Sequence, residues 1–139
     1  MASGLFNDAR QAFLKGIIDW EDDNIDVLLV DENYTFDATH QHVDDVSANE
    51  LTATDYVRKD LASRTVEGTT TSQASCANVT WAGLGGVTNK TIGGAIPFVN
   101  SGADSTSTVI CFVDTGDTLT QDLDVVLSFQ NGIVFTWAG

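Results

Sequence analysis

The side chains best suited to chemistry in this sequence are two histidines, His40 and His42, which lie among carboxylates at Asp37, Asp44 and Asp45. In an extended strand, residues two apart share one face, so the two imidazoles could be presented to a single metal ion. A tetrahedral site needs further ligands at defined positions, and the spacing forces no neighbouring residue into such a position. We therefore predict that both histidines are exposed in a polar loop and that the chain holds no metal or other cofactor.

The other polar motifs resemble catalytic or ligand-binding sites only superficially. The acidic run that begins at Asp22 lacks the spacing, the glycine and the final glutamate of an EF-hand calcium loop. The glycines at 83–86 and 93–94 are not followed by the Lys-Ser/Thr of a phosphate-binding loop. The sequence also lacks a G-x-S-x-G motif, a cysteine and histidine in a catalytic context, and a carboxylate pair spaced for acid–base work. We predict that the chain is not an enzyme and has no catalytic residues.

Three tryptophans, Trp20, Trp81 and Trp137, raise the alternative of carbohydrate binding, because exposed indole rings stack on pyranose sugars. Tryptophan in a β domain more commonly packs in the core or at an interface. We favour packing for these residues and keep a carbohydrate-binding β-sandwich adhesin as an alternative function.

The charge balance is strongly acidic, with six Lys and Arg against twenty Asp and Glu and a formal net charge of −14. No Lys or Arg follows Lys90. Proteins bind nucleic acid mainly by neutralising phosphates with Lys and Arg, so this composition disfavours DNA or RNA as a partner. The apolar runs are far shorter than the ~18 residues of a membrane-spanning helix. We therefore expect neither a nucleic-acid partner nor a membrane partner.

The two cysteines, Cys76 and Cys111, do not form a C-x-x-C motif, which argues against a zinc ribbon or a thioredoxin-like site. A disulfide between them is possible. Buried free thiols are the usual state of protein that folds in the cytosol, and we favour that state.

The local patterns predict one short helix followed by seven or eight β-strands. Residues 3–16 form a helical arm, since apolar residues recur at helical spacing between Ser3 as the N-cap and Gly16 as the stop. Runs of β-branched and aromatic residues predict strands at 25–30, 56–66, 76–81, 92–99, 108–113, 123–129 and 133–137. Residues 36–53 form a long polar loop, which in a compact domain usually serves function or an interface. The 139 residues are thus predicted to form a single, mainly β domain: an antiparallel β-sandwich or Greek-key barrel with a short N-terminal helix.

Several local details extend this assignment. Pro97 should confine its strand to an edge or an irregular position. Residues 114–117 read as a turn, and residues 130–132 as the turn of a closing hairpin. Inward-facing positions are predicted in two strands: Tyr56, Leu61 and Val66, and then Val79 and Trp81.

Several segments resemble small virion structural proteins of tailed bacteriophages. The similar segments are residues 2–10, 16–19, 23–35, 46–50, 61–66, 92–96, 102, 105–108, 114 and 132–137. The similarity spans nearly the whole chain, and its motifs are structural ones. The sequence departs from the family pattern at residues 97–100, where Pro-Phe-Val-Asn replaces a segment that usually carries tyrosine or lysine.

Proteins of this kind include capsid decoration, or cement, proteins on the outer capsid lattice. The resemblance implies a non-enzymatic protein that is made in the host cytoplasm and becomes part of the virion exterior. It also implies binding to the major capsid protein as a homotrimer near local three-fold positions, bridging neighbouring capsomers. A marginal helix gains order from the surface on which it docks, so we expect contacts with capsid or other subunits at the arm and the loop: Leu5, Phe6, Phe13, Phe36, His40 and His42.

One further alternative stays within the same virion. A tail-tube, tail-fibre or head–tail joining component would form rings or fibres instead of binding a lattice, and its location in the particle would distinguish it from a decoration protein.

Overall fold

The computed structural model describes residues 3–70 and 72–129, and the predicted closing hairpin lies outside these ranges except for its first strand. The elements in chain order are β1 (Gly4–Leu5), α1 (Asn7–Leu14), β2 (Ile25–Asp31), α2 (Val43–Val46), a 3-10 turn (Ser47–Asn49), β3 (Lys59–Asp60), β4 (Thr65–Glu67), β5 (Gln73–Ser75), β6 (Val79–Leu84), β7 (Thr91–Val99), β8 (Cys111–Leu119) and β9 (Leu123–Leu127). The described chain is mainly β with a short N-terminal helix, as predicted.

The main structure is a five-stranded antiparallel sheet in the order β1-β8-β7-β2-β3. Strands β2 and β7 pair from Ile25 opposite Val99 to Asp31 opposite Ile92. Two further antiparallel pairs are β4–β5 and β6–β9. This arrangement is consistent with a sandwich, and among the described residues the large sheet ends at β1 and β3 without closing into a barrel.

The apolar core covers both faces of the large sheet. Val27, Leu28, Leu29 and Val30 of β2 are each at most 2% exposed. Because successive side chains of a strand point to opposite faces, elements must pack on either side of it. Trp81 joins the same core cluster from β6, as does Trp20 from the segment after α1, so core packing is confirmed for these two tryptophans.

The N-terminal arm differs from the predicted helix over residues 3–16. Helix α1 begins at Asn7, after Phe6 in the N-cap position, and Ser3 is not the N-cap. Ser3 instead precedes strand β1, and its Oγ accepts a hydrogen bond from the N–H of Asp114 at 2.9 Å. The helix stop is confirmed, because Gly16 has a φ of +68°, a conformation that glycine adopts readily.

Strand β7 is a central strand, so the expectation that Pro97 marks an edge is wrong, whereas the irregular position is confirmed. The carbonyl of Pro97 accepts a hydrogen bond from the N–H of Ile110 at 2.8 Å. The N–H and the carbonyl of one strand residue point in the same direction, so the N–H that Pro97 lacks would also have faced β8. There the pairing of β7 with β8 stops at Ala95 and resumes with a shifted register at Phe98 opposite Val109.

Residues 114–117 lie inside β8 and do not form the predicted turn. The register of β7 with β8 shifts between Ile92 and Gly94, and β8 carries the extra residues. Asp114 Oδ1 accepts a hydrogen bond from the N–H of Gly116 at 2.9 Å, and Gly116 has a φ of +68°. Turn-forming residues here produce a bulge that lets the strand continue.

The predicted strand over residues 56–66 is interrupted. It contains β3 and the start of β4, separated by a segment in which Ser63 has a φ of +55°. Leu61 is buried as predicted and Tyr56 packs partly against the core. Val66 is 55% exposed, so the inward assignment of this residue is wrong.

Candidate functional site

An apolar groove lies between the N-terminal arm and the β4–β5 hairpin. Its volume is about 340 Å³, at the lower end of the range typical of ligand-binding pockets. Most of its surface comes from apolar side chains of the arm, the segment after α1 and the hairpin. The lining residues are Leu5, Phe13, Ile18, Asp19, Trp20, Val66, Ser72, Gln73 and Ala74.

The end of helix α1 positions one wall of the groove. The N–H groups of Ile17 and Ile18 both lie near the carbonyl of Ala12, at 2.8 and 3.4 Å. These bonds satisfy a carbonyl of the last helical turn, and the positive φ of Gly16 makes the reversal possible. The chain then leaves the helix with Ile18 packed in the core and Ile17 exposed.

An acidic turn follows and holds Trp20 in the groove floor. Asp19 Oδ1 accepts hydrogen bonds from the main-chain N–H groups of Glu21 at 3.0 Å and Asp22 at 3.2 Å. The indole Nε1 of Trp20 donates to the carbonyl of Ser75 at 3.2 Å. Because Trp20 is only 3% exposed and has its polar atom bonded, it stiffens the floor and is poorly placed to stack on a sugar.

The opposite wall is the β4–β5 hairpin, in which Val66 pairs with Ala74. The N–H of Val66 donates to Glu21 Oε1 at 2.9 Å, which ties this wall to the acidic turn. The groove is therefore bounded by two elements that are linked by a side-chain hydrogen bond.

Arg64 adds further hydrogen bonds to the acidic turn that is linked to the hairpin. Its guanidinium donates to the main-chain carbonyl of Trp20 at 2.7 Å and also to the carbonyls of Leu61 and Asp23. Its side chain is only 11% exposed, and its ion pair with Asp60 is loose, at 3.8 Å. Arg64 thus holds the turn in place through hydrogen bonds to main-chain carbonyls, and its guanidinium points into the protein.

Exposed apolar side chains occur in the groove wall and at the end of the helix. Val66 in its wall is 55% exposed. Leu14 and Ile17, at the end of the helix, are 71% and 67% exposed. Single exposed apolar residues are common on protein surfaces, whereas an exposed apolar groove together with further exposed apolar residues on one of its elements is a candidate contact site.

The structure divides the six predicted contact residues into different environments. Leu5 and Phe13 line the groove, where they remain candidates for contact. Phe6 is 0% exposed, so its inclusion in an accessible contact surface is corrected. Residue 6 follows a strand that pairs with β8, and this pairing directs the side chain into the core.

Phe36 is partly buried against the core. Its ring lies 5.1 Å from that of Phe6 and 6.0 Å from that of Phe112, measured between centroids. A Cβ added to Gly4 would lie 2.6 Å from the Phe36 ring, so the absence of a side chain at Gly4 makes this packing possible. Phe36 thus secures the long loop to the sheet.

The two histidines do not act as a pair. His40 Nδ1 lies 3.1 Å from the hydroxyl of Tyr34, and burial raises the pKa of Tyr34 to about 12. His42 occupies the N-cap of α2, where its side chain and that of Asp45 form a capping box. Each imidazole is half-buried and has a local structural partner, so the expectation of two exposed histidines is wrong.

A possible metal-binding arrangement near α2 is explained by helix capping. His42, Asp44 and Asp45 bring potential ligand atoms within 4.8 Å of one another. Asp45 Oδ2 already accepts hydrogen bonds from the N–H groups of Gln41 and His42 at 2.8 and 3.1 Å. These bonds lower the pKa of Asp45. Capping accounts for the carboxylate without an ion.

No pattern in the sequence predicts the ion-pair network around Arg58. Its guanidinium donates to Glu50 Oε2 and Asp104 Oδ1, both at 2.7 Å, and lies 5.5 Å from the centroid of the Phe98 ring. The Tyr56 hydroxyl donates to Glu50 Oε1 at 2.8 Å. Asp104 is 46 residues from Arg58 in sequence, so only the folded topology brings these two together.

Both thiols are free. Cys111 is buried in β8 and Cys76 is half-buried after β5. Burial raises the pKa of Cys76 to about 11 and that of Cys111 to about 12. The thiolate is the reactive form, so neither cysteine is prepared for nucleophilic chemistry at neutral pH.

Along the described stretches, no helix has the length and apolarity that crossing a bilayer requires. No family model, curated protein or solved structure matches the chain. The functional inference therefore depends on the groove and on the sequence resemblance. What the groove offers is a concave apolar surface bounded by rigid elements.

Proposed function

We propose that this chain is a non-enzymatic structural protein of a tailed-phage virion, of the capsid decoration or cement type. It binds the outer surface of the assembled lattice of major capsid protein and bridges neighbouring capsomers. Self-association as a homotrimer near local three-fold positions belongs to the same proposal. The phage assignment comes from the sequence resemblance, and the mode of binding comes from the groove.

The observation that carries this proposal is the exposed apolar surface at the N-terminal arm. Leu14 and Ile17 are more than half exposed, and each is adjacent in sequence to a residue that lines the groove, Phe13 or Ile18. Covering such a surface removes apolar area from water at about 25 cal/mol per Å². A protein partner that covers this surface would gain binding free energy from apolar area that is otherwise exposed to water.

Repetition of the contact makes a lattice a suitable partner. A decoration protein that engages more than one capsomer converts the second binding event into an intramolecular one. Modest affinity at each groove is then sufficient for stable attachment. A small acidic protein with a shallow apolar groove fits this requirement better than it fits a catalytic one.

The test is cosedimentation of the purified chain with assembled capsids prepared without it, taken from the phage that encodes it. Ile17→Asp is the test variant, and Leu123→Asp is its control at a large aliphatic residue of similar exposure, 67% against 64%. Wild type and Leu123→Asp should sediment with the capsids. Ile17→Asp should bind at least about tenfold more weakly, the loss expected of a buried apolar contact worth more than 1 kcal/mol.

Thermal unfolding of the three proteins should first show that each folds. Failure of the folded wild type to sediment with capsids would contradict the decoration function. Equal binding by both variants would leave the function standing and remove the arm as its contact.

The alternatives predict other locations. A tail or head–tail joining component would be absent from the shell. The adhesin alternative loses two of its candidate sugar platforms, since Trp20 and Trp81 are 3% and 1% exposed. The indole Nε1 of Trp81 also donates to the Val57 carbonyl at 2.6 Å.

A further inference from the structure

The groove has an acidic border on one side. Asp19 lines it directly, and Glu21 is bonded to the N–H of the lining residue Val66. Asp22 is exposed in the same turn. An apolar floor with a negatively charged border favours a ligand that is apolar in its centre and positively charged beside it.

The nearby cations leave part of the negative charge of this border without a neutralising partner. Arg64 directs its guanidinium to main-chain carbonyls and is 11% exposed. Lys15 is exposed directly after the helix and is not among the residues that line the groove. The Glu21 carboxylate is bonded to the neutral N–H of Val66, so the border keeps its negative charge where it meets the hairpin.

We infer that the groove is a docking site for an extended segment of another polypeptide, with apolar residues that enter the groove and Lys or Arg residues beside them. The inference deepens the proposed function and rests on it for the source of the segment, which would be capsid protein. The chemistry of recognition follows from the groove itself.

A second copy of this chain is a poorer occupant. Each copy carries a net charge of −14, so two copies meeting at this surface would bring like-charged borders together. The chain also has no Lys or Arg after Lys90, so the second half of another copy could not supply the cationic flanks. Copies can still associate through other surfaces.

The test measures binding of fluorescently labelled synthetic peptides to the purified full chain by anisotropy. Three short peptides serve as probes: alternating Leu and Lys, alternating Leu and Glu, and alternating Ser and Lys. The chain is used as wild type, as Val66→Lys in the groove, and as Val126→Lys on β9. Val126 is a matched control, because it is also a strand valine and is 53% exposed against 55% for Val66.

The Leu–Lys peptide should bind wild type and Val126→Lys with similar affinity, and Val66→Lys at least about tenfold more weakly, a loss of about 1.4 kcal/mol. The Leu–Glu and Ser–Lys peptides should bind wild type at least about tenfold more weakly than Leu–Lys does. Added salt should weaken the Leu–Lys complex, because its charged flanks remain near solvent.

Equal binding of Leu–Lys to wild type and Val66→Lys would overturn the inference, as would equal binding of the Leu–Lys and Leu–Glu peptides. Equal binding of the Ser–Lys peptide would reduce the effect to unspecific charge attraction and also overturn it. A wild-type oligomer that dissociates in Val66→Lys but not in Val126→Lys would assign the groove to a second copy instead.

The two proposals can fail separately. Groove-dependent peptide binding by a chain that does not bind capsids would remove the decoration function and keep the docking site. Capsid binding that Val66→Lys retains in full would keep the decoration function and remove the groove from it.

Discussion

Arg58 connects two loops that are distant in sequence. Its guanidinium bonds to Glu50 at the end of the long loop and to Asp104 in the loop between β7 and β8. Hydrogen bonds to Glu50 and then to Asp104 raise the pKa of Arg58 above its ordinary value, so it is charged throughout the accessible pH range. The hydrogen bond from Arg58 also lowers the pKa of Asp104. These three residues hold the loops in fixed positions.

This network predicts a specific acid sensitivity. Because the pKa of Asp104 is lower in the folded chain, the stability that it adds is present above the ordinary carboxyl pKa of about 4. That stability is lost as the pH falls through the lowered value. Asp104→Asn should reduce the free energy of unfolding at pH 7 by at most about 1 kcal/mol, since its side chain is 46% exposed and solvent screens the pair. The difference from wild type should close at acid pH.

Urea unfolding at neutral and at acid pH measures this difference. Asp117→Asn, at an exposed residue of β8, serves as the control for the loss of one negative charge. A gap between wild type and Asp104→Asn that is as large in acid as at neutral pH would show that the ion pair does not supply the stability.

At the scale of elements, one set of residues attaches the N-terminal arm to the sheet and a different set presents an exposed surface. Strand β1 and Phe6 attach the arm to the sheet, with the N–H of Phe6 bonded to the carbonyl of Ile110 at 3.1 Å. Leu14, the last residue of α1, and Ile17, three residues further along the chain, remain exposed. The arm therefore belongs to the fold and presents a contact surface at its far end.

Alanine substitutions should separate these roles. Phe6→Ala should lower the free energy of unfolding by about 3–5 kcal/mol, because it opens a cavity in the core where Phe6 is 0% exposed. Leu14→Ala should change it by no more than about 0.5 kcal/mol, as an exposed position. Urea unfolding of both variants checks this. Equal losses would mean that the helix end is buried in solution.

The sequence predicts elements well where local pattern and tertiary context agree. The apolar run of β2, the alternation of Val79 and Trp81, and Gly16 as the helix stop all identify their elements. Elsewhere, strand pairing decides the structure against the local sequence pattern. Residues 114–117 have the composition of a turn, yet the pairing of β8 with β7 continues through them as a bulge.

The candidate site was only partly predictable for the same reason. Leu5 and Phe13 stand out by helical spacing and do line the groove. Val66 and Ala74 complete the wall only because β4 and β5 form a hairpin against the acidic turn. No local pattern encodes that proximity. Phe6 has the same spacing signal as Phe13, and only the pairing of β1 with β8 shows that it faces the core.

At the scale of the whole molecule, the uneven distribution of charge limits how the chain can assemble. All six Lys and Arg lie at or before residue 90, and the net charge is −14. Copies placed side by side repel one another unless apolar contact or a positively charged partner compensates. A lattice that offers apolar segments with basic flanks would supply both. The chain would then be held by the lattice and spaced by its own charge.

Electron cryo-microscopy of whole particles of the phage proposed to encode the chain is the decisive measurement for the proposed decoration function. We expect density for this fold at repeated positions on the outer surface of the capsid, near local three-fold axes, with the groove and the end of α1 against the capsid protein. Density confined to the tail or to the head–tail junction, or a shell without this protein, would contradict it.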